Sequence, residues 1–101
     1  MLIAFSVAPS GGPSDSVSEA VAAAVRVVRE SGLPNETTSM FTTIEAETWE
    51  EGMEVVRRAV EAAQVGASRV SLVLKADIRP GYTDQLRQKV QRVNEALERP
   101  I

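Results

Sequence analysis

The clearest capacity for polar chemistry in this sequence lies in three charged residues at the ends of strand-like segments. Glu45 closes the stretch Thr42-Thr43-Ile44-Glu45, while Lys75 and Asp77 close the alternating run from Arg69 to Asp77. Side chains of an extended strand alternate between its two faces. Val70, Leu72, Leu74 and Ala76 therefore share an apolar face, and Lys75 and Asp77 point away from it. Ile44 belongs with the apolar face, which sends Thr43 and Glu45 to the other side. If the two strands approach, Glu45, Lys75 and Asp77 share one open face of a sheet, or its rim. Such donors and acceptors suit the wall of a small-molecule pocket between subunits. They equally suit a solvated face with surface ion pairs, which contribute little to stability.

Other chemistry is more restricted. Two carboxylates invite an acid/base reading, but that role needs tuned environments that spacing does not reveal. Glu45, Glu47 and Asp77 match no recognised metal loop and are too few for a protein cage. The chain has no cysteine and no histidine. Thiolate chemistry, disulfides and serine-histidine catalysis are therefore excluded within one chain. No catalytic residue, metal or cofactor is expected, and binding is favoured over turnover. The net charge of −3 comes from charges of both signs spread along the chain, without the basic stripe of a nucleic-acid binder. Ser10-Gly11-Gly12 leads towards a helix start, where anions bind. It lacks the spacing of a phosphate or dinucleotide loop, so a flexible loop is the simpler reading, with Ser10 and Gly11 free to border a ligand. Of the four aromatics, Phe41 is the best placed to stack a flat ring. Trp49 reads as core or hinge packing, and Tyr82 as packing for the last helix.

The elements that position these residues follow from periodicity. Leu2 to Ala8 is a strand ended by Pro9. Ser16-Val17-Ser18-Glu19 forms a capping box, and the first helix is expected over about 15–31, stopped by Gly32. The β-branched stretch from Glu36 to Glu47 predicts two strands turning near Ser39-Met40, or one long bent strand. Thr48-Trp49-Glu50-Glu51 is a second capping box. It heads a helix with Met53, Val56, Val60 and Ala63 on its stripe and Gly66 at its end. After the strand Arg69–Asp77, Pro80-Gly81 breaks the chain, and Tyr82, Leu86, Val90, Val93 and Leu97 mark a third helix. The order βαββαβα predicts an α+β, ferredoxin-like domain over residues 1–101: a four-stranded antiparallel sheet with an extra C-terminal helix. Two helices cover one sheet face. The other face, apolar in part, predicts self-association as a dimer or dimer of dimers. No run approaches membrane-span length, and the apolar opening lacks a basic flank, so a cytoplasmic location is expected, with no membrane partner.

The chain also resembles the small thiamine-binding protein family, related to the tandem-domain YkoF-type proteins. The matching segments are Ala8-Pro9, Ser16-Val17-Ser18, Met40 with Thr42, Ile44 and Glu45, Trp49-Glu50-Glu51, Arg69-Val70, Lys75 to Arg79, and Lys89-Val90 with Val93. Their order and spacing carry the likeness. It implies a homo-oligomer that binds thiamine or its hydroxymethylpyrimidine half in each domain. Carried over by position, Thr42, Glu45 and Asp77 are the polar contacts, Met40 and Phe5 the apolar wall, and Ser10 and Gly11 the mouth. Phe41 stands where many members have a small residue, so its ring would either stack on the ligand or fill the pocket. The competing expectation is a regulatory or assembly domain that senses another metabolite or a protein partner.

Overall fold

The structure, a computed structural model, describes residues 1–12 and 17–99. The first capping box falls partly outside them, at Ser16. The elements are β1 (Leu2–Ser10), α1 (Val17–Glu30), β2 (Asn35–Thr37), β3 (Thr42–Glu45), α2 (Trp49–Gln64), β4 (Arg69–Asp77) and α3 (Gln85–Glu98). The sheet is antiparallel, in the order β2-β3-β1-β4. This is the ferredoxin-like α+β arrangement the element order predicts, with α3 added at the end.

The core forms where alternation and helical spacing meet. Ile3, Phe5 and Ile44 point to the helix side of the sheet and pack against Ala24 and Val28 of α1 and Val55, Val56, Ala59 and Ala63 of α2. Gly52 explains how closely α2 sits. A Cβ there would lie 2.6 Å from Ile3 Cδ1 and 3.1 Å from Ala46 Cβ. The buried stripe of α2 is therefore rotated from the expected one: Val55 and Ala59 are inside, and Met53 is exposed. Thr48 accepts from the Glu51 amide at 3.1 Å, as a cap should, but the Glu51 carboxylate reaches the amide of Glu47, one residue before the cap.

β1 runs two residues beyond the expected end, through Pro9. Proline has no N–H to give a ladder. Here that omission is tolerated, because β3 pairs only with Leu2 to Phe5, whereas β4 pairs with all of Leu2 to Ser10. Beyond Phe5, β1 thus has a neighbour on one side only among the described residues. The two-strand reading of residues 36–47 holds, with the turn at Thr38–Phe41 closed by a Thr38 N–H to Phe41 carbonyl bond of 2.9 Å.

The third helix starts three residues later than the apolar pattern predicts. Tyr82 lies in the preceding loop, where its ring carries the Arg79 guanidinium at 3.5 Å. Asp84 occupies the cap position in the left-handed region (φ 55°) and makes no side-chain cap. The cap comes instead from far along the chain, as described next.

Candidate functional site

The sequence-predicted site residues separate into three places. Glu45 and Asp77 are both cross-strand partners of Leu2, one on each side of it. They share the open face but stand two strands apart, roughly 10 Å by ordinary strand spacing. Each is already engaged with α3. The two Glu45 carboxylate oxygens accept from the Gln85 and Leu86 amides, both at 2.9 Å. A strand carboxylate thereby satisfies the N–H groups that open α3, and its charge suits the positive end of the helix. Asp77 accepts from Lys89 Nζ at 2.6 Å. That ammonium holds the Asp77 carboxyl below its ordinary range, with smaller help from Lys75 and Arg79. Around this end runs a groove of about 1020 Å³ between the β3–α2 connection and the β4–α3 loop, with Trp49, Ile78 and Tyr82 half-exposed on its walls. Three of the five carboxylates that line it are engaged: Glu45 with α3, Glu51 with the Glu47 amide, Asp84 with Arg87 and Gln88.

Thr42, Phe5, Met40 and Phe41 come together elsewhere, on the helix side of the sheet. Thr42 pairs with Phe5 in the ladder and shares its face, opposite to that of Glu45. A cleft of about 190 Å³ opens there. Its walls are Phe5 to Val7 of β1, Val21 to Val28 on the inner side of α1, and the hairpin from Thr37 to Thr42. The cleft exists because β3 is four residues long and β1 is nine. Where β3 stops, β1 continues with one edge free, and α1 roofs the gap. Among the described residues, no charged side chain lines it. Thr42 is nine-tenths buried, and its hydroxyl has one protein partner among the described residues, the Thr37 hydroxyl at a long 3.4 Å. A hydroxyl offers one donor and two acceptor sites, so most of the capacity of Thr42 is unused. Met40, 72% exposed, and half-buried Phe41 border the opening.

Ser10 and Gly11 lie at the far end of β1, against the β4 start. Ser10 pairs with Arg69, and its carbonyl accepts from the Ser68 amide at 3.1 Å. They join neither cluster. The free edge of β1 at Val7 has little signature in the sequence. The only signal for it was the mismatch in length between a nine-residue strand and a β-branched stretch interrupted by a turn.

Among the described residues, no helix is long and apolar enough to cross a membrane, and no group of three or more potential metal-ligating side chains is placed to hold a metal.

Comparisons with known proteins agree with the fold. A UPF0045 protein of Mycobacterium bovis is 56% identical over 100 residues, 99% of this chain and 97% of its own. The solved structure of a Bacillus cereus domain of unknown function (DUF77) has a TM-score of 0.75 at 34% identity, covering 85% of this chain and 84% of that one. A Thermotoga maritima structure, described as a candidate thiamine biosynthesis/salvage protein, shares the fold at a TM-score of 0.72 and 24% identity, covering 91% and 96%. The family model described as thiamine-binding protein matches residues 3–94, and the chain belongs to that family.

Proposed function

We propose that this protein binds thiamine or its hydroxymethylpyrimidine half, without transforming it, in the cleft between β1, α1 and the β2–β3 hairpin. One observation carries the reading: a nine-tenths-buried Thr42 hydroxyl, nearly unpartnered, opens into an uncharged cleft with apolar walls. Buried polar groups are as a rule hydrogen-bonded, and a ligand with ring nitrogens supplies what Thr42 lacks. The size agrees. Clefts for drug-sized ligands run to roughly 300–1,000 Å³, so 190 Å³ suits one substituted ring. Of the expected contacts, Thr42, Phe5, Met40 and Phe41 belong to this pocket. Glu45 and Asp77 hold α3 in place. The pocket thus lies on the helix side of the sheet and not on the open face where the sequence pattern suggested it.

The absence of catalysis in this reading rests on the same lining: among the described residues, no acid, base or nucleophile stronger than a hydroxyl touches the cleft. Isothermal titration calorimetry with thiamine and with the free hydroxymethylpyrimidine tests it. Saturable heats in the wild-type protein that fall in Thr42→Val support the assignment. Silence from both compounds sinks it.

Self-association belongs to the same proposal. Past its first turns α3 makes little contact with its own chain, and Val90, Val93 and Leu97 lie on one stripe, each more than half exposed. The body is drawn out to 55 × 30 × 20 Å. A second copy covering this stripe would remove it from water. Sedimentation equilibrium decides: a wild-type monomer, or an oligomer unaffected by Val93→Glu, refutes this contact.

A further inference from the structure

The cleft has a second source of hydrogen bonds besides Thr42, and it lies in the backbone. Ser6 to Pro9 pair with Val73 to Val70 of β4, while β3 pairing ends at Phe5. In a strand with neighbours on both sides, peptide groups point alternately to each neighbour. Beyond Phe5 the groups directed to the β3 side meet no strand, and no other backbone bond among the described residues takes them up before Ser10. An edge of this kind presents donor and acceptor in a row, ready to pair. Free sheet edges usually receive a peptide strand. Here the α1 roof and the Thr38–Phe41 turn leave a gap of about 190 Å³, sized for a ring.

We propose that the ligand completes the sheet: a planar heterocycle with adjacent donor and acceptor, as an aminopyrimidine has, pairs with the N–H and C=O of Val7, which face the side β3 leaves empty, and Thr42 satisfies a further ring nitrogen. This rests on the binding reading above and narrows its ligand class. Peptide groups and hydroxyls are neutral, and among the described residues no charged side chain lines the walls. A phosphate taken into such a site would lose its hydration with no cation to replace it. The site therefore selects the unphosphorylated ring. In whole thiamine the pyrimidine sits inside, and the cationic thiazolium remains at the mouth near Met40, in contact with water.

The test combines amide NMR with calorimetry on the full-length protein. Four probes are used: the hydroxymethyl-aminopyrimidine, its phosphate ester, the analogue with methyl in place of the exocyclic amine, and thiamine. The expected result is a saturable shift of the Val7 amide with the aminopyrimidine and with thiamine. Both the methyl analogue and the phosphate ester bind at least about tenfold more weakly, the equivalent of one buried hydrogen bond left unmade. Binding without a shift of the Val7 amide, or equal affinity for the methyl analogue, overturns the backbone pairing but leaves the binding function standing. Equal or tighter binding of the phosphate ester overturns the selectivity. Binding by none of the four refutes both readings together.

Discussion

The two ends of the sheet treat their polar groups in opposite ways. At the Glu45 end charged side chains abound, and those expected to bind a ligand are committed: Glu45 to the first turn of α3 and Asp77 to Lys89. At the Thr42 end no described residue lining the cleft is charged, yet hydrogen-bonding capacity is left over in a hydroxyl and in the β1 edge. The charged end looks more functional in a sequence, because carboxylates and lysines are conspicuous there. Free capacity is the better guide. A group that already has a good partner must give it up before it can serve a ligand, and that exchange yields little net free energy.

The largest effect expected is on the part both ends share. Ile44 lies fully buried between Thr42 and Glu45 on β3. Ile44→Ala should cost about 2–5 kcal/mol of stability, as cavity-forming core truncations do, and should weaken ligand binding and α3 docking together in denaturant titrations and calorimetry. A mutant that loses only one of the two would show the ends to be independent of their common strand.

Thr42→Val separates the ends. It keeps shape and removes the free hydroxyl, so ligand affinity should drop by about tenfold or more. Hydrogen exchange in the first turn of α3 should not change. If exchange there rises instead, Thr42 is structural and the cleft assignment fails.

Glu45→Gln is the reverse experiment. It weakens the cap on α3 and should cost about 0.5–2 kcal/mol, the usual range for a lost N-cap. Faster exchange of the Gln85 and Leu86 amides with unchanged ligand affinity is the expected pattern. A marked loss of affinity would return Glu45 to the binding site.

The smallest effect belongs to Asp77. Its carboxyl is held below the ordinary range chiefly by Lys89. The unfolded chain lacks that pairing and takes up a proton at higher pH. The contribution of Asp77 is thus complete at neutral pH and is lost as pH falls below about 4, through its lowered folded value. The pair is about half exposed, so salt should screen it. Comparing acid unfolding of wild type and Asp77→Asn at low and high ionic strength checks this. A difference that survives high salt would point to a role beyond the ion pair.

Much of the architecture was legible without coordinates. β4 falls at Arg69–Asp77 as alternation predicts, and the hairpin turn near Ser39-Met40 is where the β-branched stretch is interrupted. These features depend on neighbours a few residues apart, so local pattern suffices. Parity also put Glu45 and Asp77 on one face correctly. Parity applied consistently would also have set Thr42 on the face opposite to Glu45, since the two are three residues apart. Grouping them followed the family pattern and not the strand geometry.

The sequence alone determined the order of elements, the antiparallel ferredoxin-like plan, and the lack of histidine and cysteine chemistry. These follow from residue type and short-range periodicity. Only the tertiary structure decided that Glu45, forty residues upstream, caps α3, that Tyr82 stays outside that helix, and that β1 outruns β3. Each depends on which segments meet in space and where pairing stops, and no local spacing encodes that. The cleft is a consequence of such a stop: a long strand beside a short one, with a helix above the difference.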